Sequence, residues 1–128
     1  MENMTSEFKS KGGLRRILGA FYNSFDGFKV AWQNEYAFRQ EILVFTVATI
    51  VALSLPVSGF QKLVLVGVLV LVLIVEIINS ALEAVVDRIS LERHPLSKNA
   101  KDLGSAAVAL SILLAAMTWA VVLYTRYF

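Results

Sequence analysis

Two long stretches without a charged side chain constrain this chain more than any other feature of its sequence. They cover residues 42–61 and 103–125. A helix of about 20 apolar residues crosses the roughly 30 Å hydrocarbon layer of a bilayer. The hydrophobic content of 57% is high for a chain of 128 residues and also favours a bilayer as its solvent. Both stretches therefore predict transmembrane helices.

A third apolar stretch is also long enough to cross a bilayer but has a polar end. It covers residues 62–86 and is interrupted by Glu76, Asn79 and Glu83. A short turn marked by Pro56 and Gly59 precedes it. We therefore predict three transmembrane helices, over residues 36–56, 62–86 and 102–125.

The segment before these spans predicts an amphipathic helix over residues 14–34. Its large apolar residues recur at helical spacing, while charged residues fall on the other side of the wheel. The apolar set is Leu14, Ile17, Leu18, Phe21, Phe25, Phe28 and Trp32. Such a helix suits the membrane surface, although packing on the spans as an ordinary core helix is the alternative. With residues 1–12 as a polar leader, the sequence predicts one all-α membrane domain over residues 1–128.

Basic residues indicate how the chain is oriented. Most of them precede the first span or lie between the second and third spans, and only Lys62 and Arg126 lie on the other side. Because basic residues favour cytoplasmic loops, we expect the N-terminus inside and the C-terminus outside. The net charge of +2 and the lack of a basic patch argue against a nucleic-acid partner. The absence of cysteine excludes disulfides and thiolate metal sites.

The polar end of the second span forms one stripe. At 100° per residue, Glu76, Ser80, Glu83 and Asp87 fall within a sector of roughly 60°, with Asn79 at its edge. Asparagine and serine alone could form a structural seam between helices. Two glutamates on one face favour a functional site, because ionisable groups at membrane depth are costly and normally face a cavity.

A second polar cluster is expected at the same cytoplasmic level. It consists of Glu35, Arg39, Gln40 and Glu41 before the first span, and Lys101 and Asp102 before the third. Glu35 and Glu83 could hold Mg²⁺ together with substrate phosphates, and Lys101 and Arg16 could balance phosphate charge. Arg39 and Lys101 could instead anchor the chain at lipid head groups. The single histidine, His94, makes a zinc site improbable, and the sequence has no glycine-rich phosphate loop.

Three motifs carry a resemblance to a known family. "NEYAFRQE" at residues 34–41, "VEIINSALEAVVDRIS" at 75–90 and "KDLGSAAV" at 101–108 resemble the prokaryotic diacylglycerol kinases, and the similarity extends over about residues 16–124. These are small integral membrane enzymes that phosphorylate a lipid hydroxyl with MgATP. The resemblance implies a surface helix and three spans, a homotrimer with active sites shared between protomers, and a place in the bacterial inner membrane.

The resemblance also implies a role for individual residues. Glu76 would be the catalytic base, Asn79 would position the reacting groups, and Glu35 and Glu83 would hold the metal on ATP. Nucleotide contacts would fall on Arg16, Asn23, Glu35, Glu83, Glu92, Arg93, His94, Lys101 and Asp102. Lipid contacts would fall on Arg39, Gln40, Glu41, Glu76, Ser105 and Trp119. The chain departs from the family pattern at Asn23, where a tyrosine is frequent.

Three other functions compete with a diacylglycerol kinase. An undecaprenol kinase would use the same fold, and "AFRQE" looks more like the diacylglycerol branch. A small proton-coupled multidrug transporter would also bury a membrane glutamate, but such chains typically have four spans and no converging lysine and arginine cluster. A non-enzymatic membrane scaffold does not explain two carboxylates on one face.

Overall fold

The structure is a computed structural model that describes residues 12–128. These residues form four α-helices and no strand: α1 (Gly13–Asn34), α2 (Tyr36–Ser54), α3 (Gly59–Ile89) and α4 (Pro95–Tyr127). Helices α2, α3 and α4 are long and apolar enough to cross a membrane. The all-α membrane fold is therefore confirmed. The predicted leader lies outside the described residues, apart from Gly12.

Helices α3 and α4 are longer than the spans predicted from the sequence. α3 begins at a capping box in which the Ser58 hydroxyl accepts from Gln61 N (3.1 Å) and the Gln61 side chain accepts from Ser58 N (3.0 Å). α4 begins seven residues before the predicted span, because His94 Nδ1 accepts from Leu96 N (3.1 Å) and Pro95 occupies the first turn. Only residues 90–94 therefore separate the two helices.

The described chain divides into two units, one ending at Glu35 and one covering Tyr36–Phe128. The first contains α1, whose apolar side chains lie exposed along one side. Ile17, Phe21, Phe25 and Phe28 line a shallow groove there of about 350 Å³. This agrees with the amphipathic pattern of the sequence.

In the second unit, α3 packs against both α2 and α4. The surface that α4 turns toward α3 is made of small residues, since Gly104, Ser111 and Ala115 are its buried positions. Small side chains allow two helix backbones to approach closely in a membrane, where apolar burial alone gives no driving force. The Trp119 indole N–H adds a hydrogen bond to the buried Leu65 carbonyl oxygen (3.1 Å).

Most apolar side chains of α2, α3 and α4 remain exposed. Only 11%, 6% and 17% of the most hydrophobic part of these helices is buried within the chain. In water such a surface would drive aggregation, whereas lipid or further protein can cover it in a bilayer.

The charged residues of the α2–α4 bundle lie at its two ends, whereas Thr46, Thr49, Ser111 and Thr118 lie between the ends. The turn end consists of residues 53–62 and 126–128. The loop end consists of residues 36–41 of α2, residues 76–104 of α3 and α4, and the loop between them.

Candidate active site at the loop end

The polar stripe of α3 meets α2 through two carboxyl groups. Glu76 of α3 and Glu41 of α2 lie in hydrogen-bonding contact. Such a contact uses a proton on one of the two groups, because ionised carboxylates only accept hydrogen bonds. Glu41 Oε2 is buried, which shields this side of the carboxyl pair from water.

Asn79 connects the stripe to α4. It lies three residues after Glu76 and four before Glu83, so the three side chains share one face. Asn79 Nδ2 donates to Glu83 Oε1 over a long 3.4 Å. Asn79 Oδ1 is buried without a partner among the described residues and lies against Gly104 of α4.

Further along α3, an ion pair joins the stripe to α4. Lys101 Nζ donates to Asp87 Oδ1 at 2.8 Å, and both side chains are nearly half exposed. Lys98 and Asp102 form a second pair within α4, one turn apart. Exposed pairs of this kind contribute about 0–1 kcal/mol. Both lysines are therefore close to carboxylates without being held strongly by them.

A pocket of about 650 Å³ lies beneath the loop between α3 and α4. Five of the residues predicted to contact nucleotide line it together: Glu92, Arg93, His94, Lys101 and Asp102. Because His94 Nδ1 caps α4, Nε2 is the ring nitrogen that remains available to a ligand. The N-terminal backbone of α4 adds the positive end of a helix dipole to this pocket. Arg93, Lys98 and Lys101 thus offer positive charge to an anion, and Asp87, Glu92 and Asp102 line the same pocket.

Hard oxygen ligands are present, but they do not form a complete metal cage. Within residues 12–128, no three Asp, Glu or His side chains are grouped closely enough to hold an ion by themselves. Mg²⁺ is usually held by one or two carboxylates together with phosphates and water. Glu83, half-buried and bonded only weakly to Asn79, fits that requirement.

The remaining predicted residues have different placements. Arg16, Asn23 and Glu35 belong to the unit that contains α1, so their approach to Glu83 stays a prediction. Arg39 and Gln40 are exposed on the first turns of α2, and Ser105 is exposed on α4 beside Gly104. Trp119 bonds Leu65, which lies eleven residues, or about 16 Å, along α3 from Glu76. Trp119 is thus far from the carboxyl pair.

Two features of the site did not emerge from the sequence. Gly104 carries no functional group, and the partner of Lys101 was not identified. Asp87 lies three residues before the loop at 90–94 and Lys101 lies seven residues after it, so equal distances from the loop would not have identified this ion pair. No signal in one sequence could have singled out Gly104.

Comparisons with known proteins agree with the resemblance in the three motifs. The sequence profile described as prokaryotic diacylglycerol kinase matches residues 22–123. A diacylglycerol kinase of Pseudomonas aeruginosa is 51% identical, covering 92% of this chain and 96% of its own.

Two further relatives extend the agreement. The diacylglycerol kinase of Escherichia coli K12 is 46% identical over 90% of this chain and 94% of its own. That of Haemophilus influenzae is 35% identical over 88% of this chain and 95% of its own. On the profile match and these identities, the chain belongs to the prokaryotic diacylglycerol kinase family.

Proposed function

We propose that the chain transfers the γ-phosphoryl group of ATP to the hydroxyl of 1,2-diacylglycerol, forming phosphatidic acid at the cytoplasmic membrane interface. The observation that carries the proposal is the arrangement of the loop end. Glu76, which contacts Glu41 of α2, and Asn79 lie on the α3 stripe that leads to the pocket containing Arg93, Lys98 and Lys101. A lipid hydroxyl and a polyphosphate need such neighbouring sites, one apolar and one charged.

The position of Glu76 along α3 supports a reaction at the membrane boundary. α3 has 31 residues and is therefore about 46 Å long, which exceeds the roughly 30 Å hydrocarbon layer. With Gly59 at one boundary, Glu76 lies about 26 Å along the helix and Glu83 about 36 Å. Glu76 is then just inside the second boundary and Glu83 just outside it. This order suits a base for a lipid and a ligand for a nucleotide.

In the proposed reaction, Glu76 accepts the proton of the lipid hydroxyl. The hydroxyl oxygen forms a bond to the γ-phosphorus, the bond from that phosphorus to the β–γ bridging oxygen breaks, and ADP leaves. The contact with Glu41 fixes the orientation of the Glu76 carboxyl group. Asn79 stands one turn from Glu76 and orients the reacting groups.

Cationic groups would stabilise the charge on the transferred phosphoryl group. Lys101 at the pocket and Arg16 on α1 would supply positive charge, together with Arg93. Mg²⁺ would be held by Glu83 and Glu35 and would neutralise phosphate charge on ATP. This division of tasks requires no glycine-rich phosphate loop.

Labelled γ-phosphate transfer tests the reaction directly. Purified protein in mixed micelles is given ATP with diacylglycerol and undecaprenol in parallel reactions. We expect phosphatidic acid as the main product, at least about tenfold faster than undecaprenyl phosphate, a ratio that corresponds to about 1.4 kcal/mol. Preference for undecaprenol would assign the chain to an undecaprenol kinase. No transfer to either lipid, with proton-coupled drug uptake in vesicles, would assign it to a transporter.

We further propose that the enzyme is a homotrimer in the bacterial inner membrane, with its N-terminus in the cytoplasm and active sites built from two protomers. The large exposed apolar surface of α2, α3 and α4 leaves room for such contacts.

Complementation between inactive variants tests these shared sites. Glu35→Ala and Glu76→Gln chains are reconstituted together and separately. Recovered activity in the mixture supports composite sites, because only an interface can then supply both intact residues. Inactive mixtures that crosslinking shows to contain hybrid oligomers would mean that both residues come from one protomer.

A further inference from the structure

Gly104 is a point where the backbone of α4 meets a side chain of the site. The residue is buried, and a Cβ placed on it would lie 3.1 Å from Asn79 Cγ and closer still to Asn79 Oδ1. The Asn79 Cβ, by contrast, would be 3.9 Å away, an ordinary van der Waals distance. It is therefore the amide group of Asn79, and not its Cβ, that requires residue 104 to have no side chain.

Other helical glycines of the chain have no comparable neighbour. A Cβ on Gly67 of α3, or on Gly19 or Gly27 of α1, would meet nothing within 4 Å beyond its own stretch of helix. Close packing of α4 on α3 by small residues does not by itself explain Gly104, since Ala115 packs at a buried position with a Cβ. The requirement at Gly104 is specific to Asn79.

The Asn79 amide could move if Gly104 had a side chain. Val75, Ile78, Leu82, Gly104, Ala107 and Asn79 itself line an open groove of about 160 Å³ between α3 and α4. A methyl group on Gly104 would push the amide toward this groove and away from its long bond to Glu83 (3.4 Å). The helices could keep their places while the amide changed its orientation.

We propose that Gly104 is a positioning residue for phosphoryl transfer, which it serves by leaving space for the Asn79 amide between Glu76 and Glu83. The inference rests on the proposed function, because it takes Asn79 as part of the reacting site. Gly104 itself touches no substrate in this account. Its effect passes entirely through the orientation of one amide.

Steady-state kinetics of Gly104→Ala and the matched control Gly67→Ala test the proposal. We expect Gly104→Ala to lower kcat at least ~10-fold, since a displacement of about 1 Å in a site can cost ~100-fold. The KM for ATP should stay within ~2-fold of wild type, because neither Asn79 nor Gly104 lines the loop pocket. Gly67→Ala should keep wild-type kcat and KM. If both variants match wild type, the proposal is wrong.

A double-mutant cycle on thermal unfolding separates this role from general packing. Gly104→Ala is measured in the wild-type chain and in an Asn79→Ala chain, whose Cβ is compatible with the added methyl group. We expect Gly104→Ala to lower the Tm of the wild-type chain and to leave that of Asn79→Ala unchanged. Equal losses in both backgrounds overturn the proposal. If Gly104→Ala does not fold, recovery of folding by Asn79→Ala supports it, and failure to recover overturns it.

The same experiments distinguish this inference from the proposed function. A wild-type enzyme that transfers no phosphate to diacylglycerol removes both. An active wild type together with an unaffected Gly104→Ala removes the positioning role alone.

Discussion

The turn end and the loop end of the bundle use their polar groups differently. At the turn end, Lys62 Nζ donates to the Leu53 carbonyl oxygen (2.9 Å) and Arg126 Nε to that of Pro56 (2.7 Å). Both cations are thus bonded to backbone carbonyl oxygens where the chain reverses. At the loop end, ionisable side chains meet one another instead, as in the contact of Glu41 with Glu76 and the ion pair of Lys101 with Asp87.

The difference extends to the groups that lack partners. Asn79 Oδ1 is a buried acceptor without a partner among the described residues and lies at the loop end, whereas Thr49 Oγ1, which also has none, lies within α2 between the two ends. A buried acceptor without a partner costs about 1–3 kcal/mol. The turn end is built to hold the helices together, whereas the loop end keeps capacity that a substrate can satisfy. Mutations at the two ends should therefore separate stability from activity.

Replacement of the proposed base should have the largest effect on activity. We expect Glu76→Gln to lower kcat at least ~100-fold, because the amide cannot take the proton of the lipid hydroxyl. Oligomer size and Tm should stay near those of wild type. Glu41→Gln is the matched comparison and should lose less, because its amide can still donate to Glu76. Glu76→Gln with more than about a tenth of wild-type turnover would remove Glu76 as base.

Loss of a proposed metal ligand should have the next largest effect. We expect Glu83→Ala to raise the Mg²⁺ concentration for half-maximal activity at least ~10-fold, since it removes a hard oxygen ligand. Glu35→Ala should behave in the same way. Asp87→Asn serves as the control, one turn beyond Glu83 on the same face. Unchanged Mg²⁺ titrations in both alanine variants would contradict a shared metal site.

The Asp87–Lys101 pair allows a smaller and more selective test. If Lys101 binds phosphate, Lys101→Met should raise the KM for ATP about tenfold, which corresponds to about 1.4 kcal/mol of lost binding. Asp87→Asn should change that KM less than twofold, because it leaves the lysine charge in the pocket. Equal, small effects of both variants on the KM for ATP would mean that Lys101 serves only its ion pair with Asp87. The loop end would then resemble the turn end, where the cations hold the helices together.

Several parts of the fold follow from the sequence because each depends on local pattern. Uncharged length predicts two of the spans, an apolar stretch with a polar end predicts the third, and helical spacing predicts α1. The stripe containing Glu76 and Glu83 is correct because both residues lie within one helix. The start of α4 was predicted at residue 102 instead of Pro95, since the charged residues before the span suggested a loop while capping by His94 extends the helix.

Contacts between helices are harder to predict, although the chain reversals give some guidance. The midpoint of positions 41 and 76 falls at residues 58–59, and that of positions 79 and 104 at residues 91–92. The first midpoint lies where the α2–α3 turn joins α3 and the second lies in the α3–α4 loop, so counting residues from each chain reversal predicts which residues lie at the same depth in the membrane. The rotation of each helix about its own axis could not be predicted in this way, because packing between the helices determines it. The close approach of the Asn79 amide to Gly104 is therefore visible only in the structure.

The smallest expected effect concerns the turn end, where a mutation should change stability alone. Lys62→Met keeps most of the aliphatic stem but removes the hydrogen bond to Leu53, and we expect the free energy of unfolding to fall by about 1 kcal/mol. kcat and both KM values should stay within twofold of wild type, because Lys62 lies about 21 Å along α3 from Glu76. Lys29→Met, which removes the same charge from an exposed position on α1, is the control for net charge. A lower kcat in Lys62→Met without a lower stability would show that the two ends are coupled in function, and the division between them would have to be abandoned.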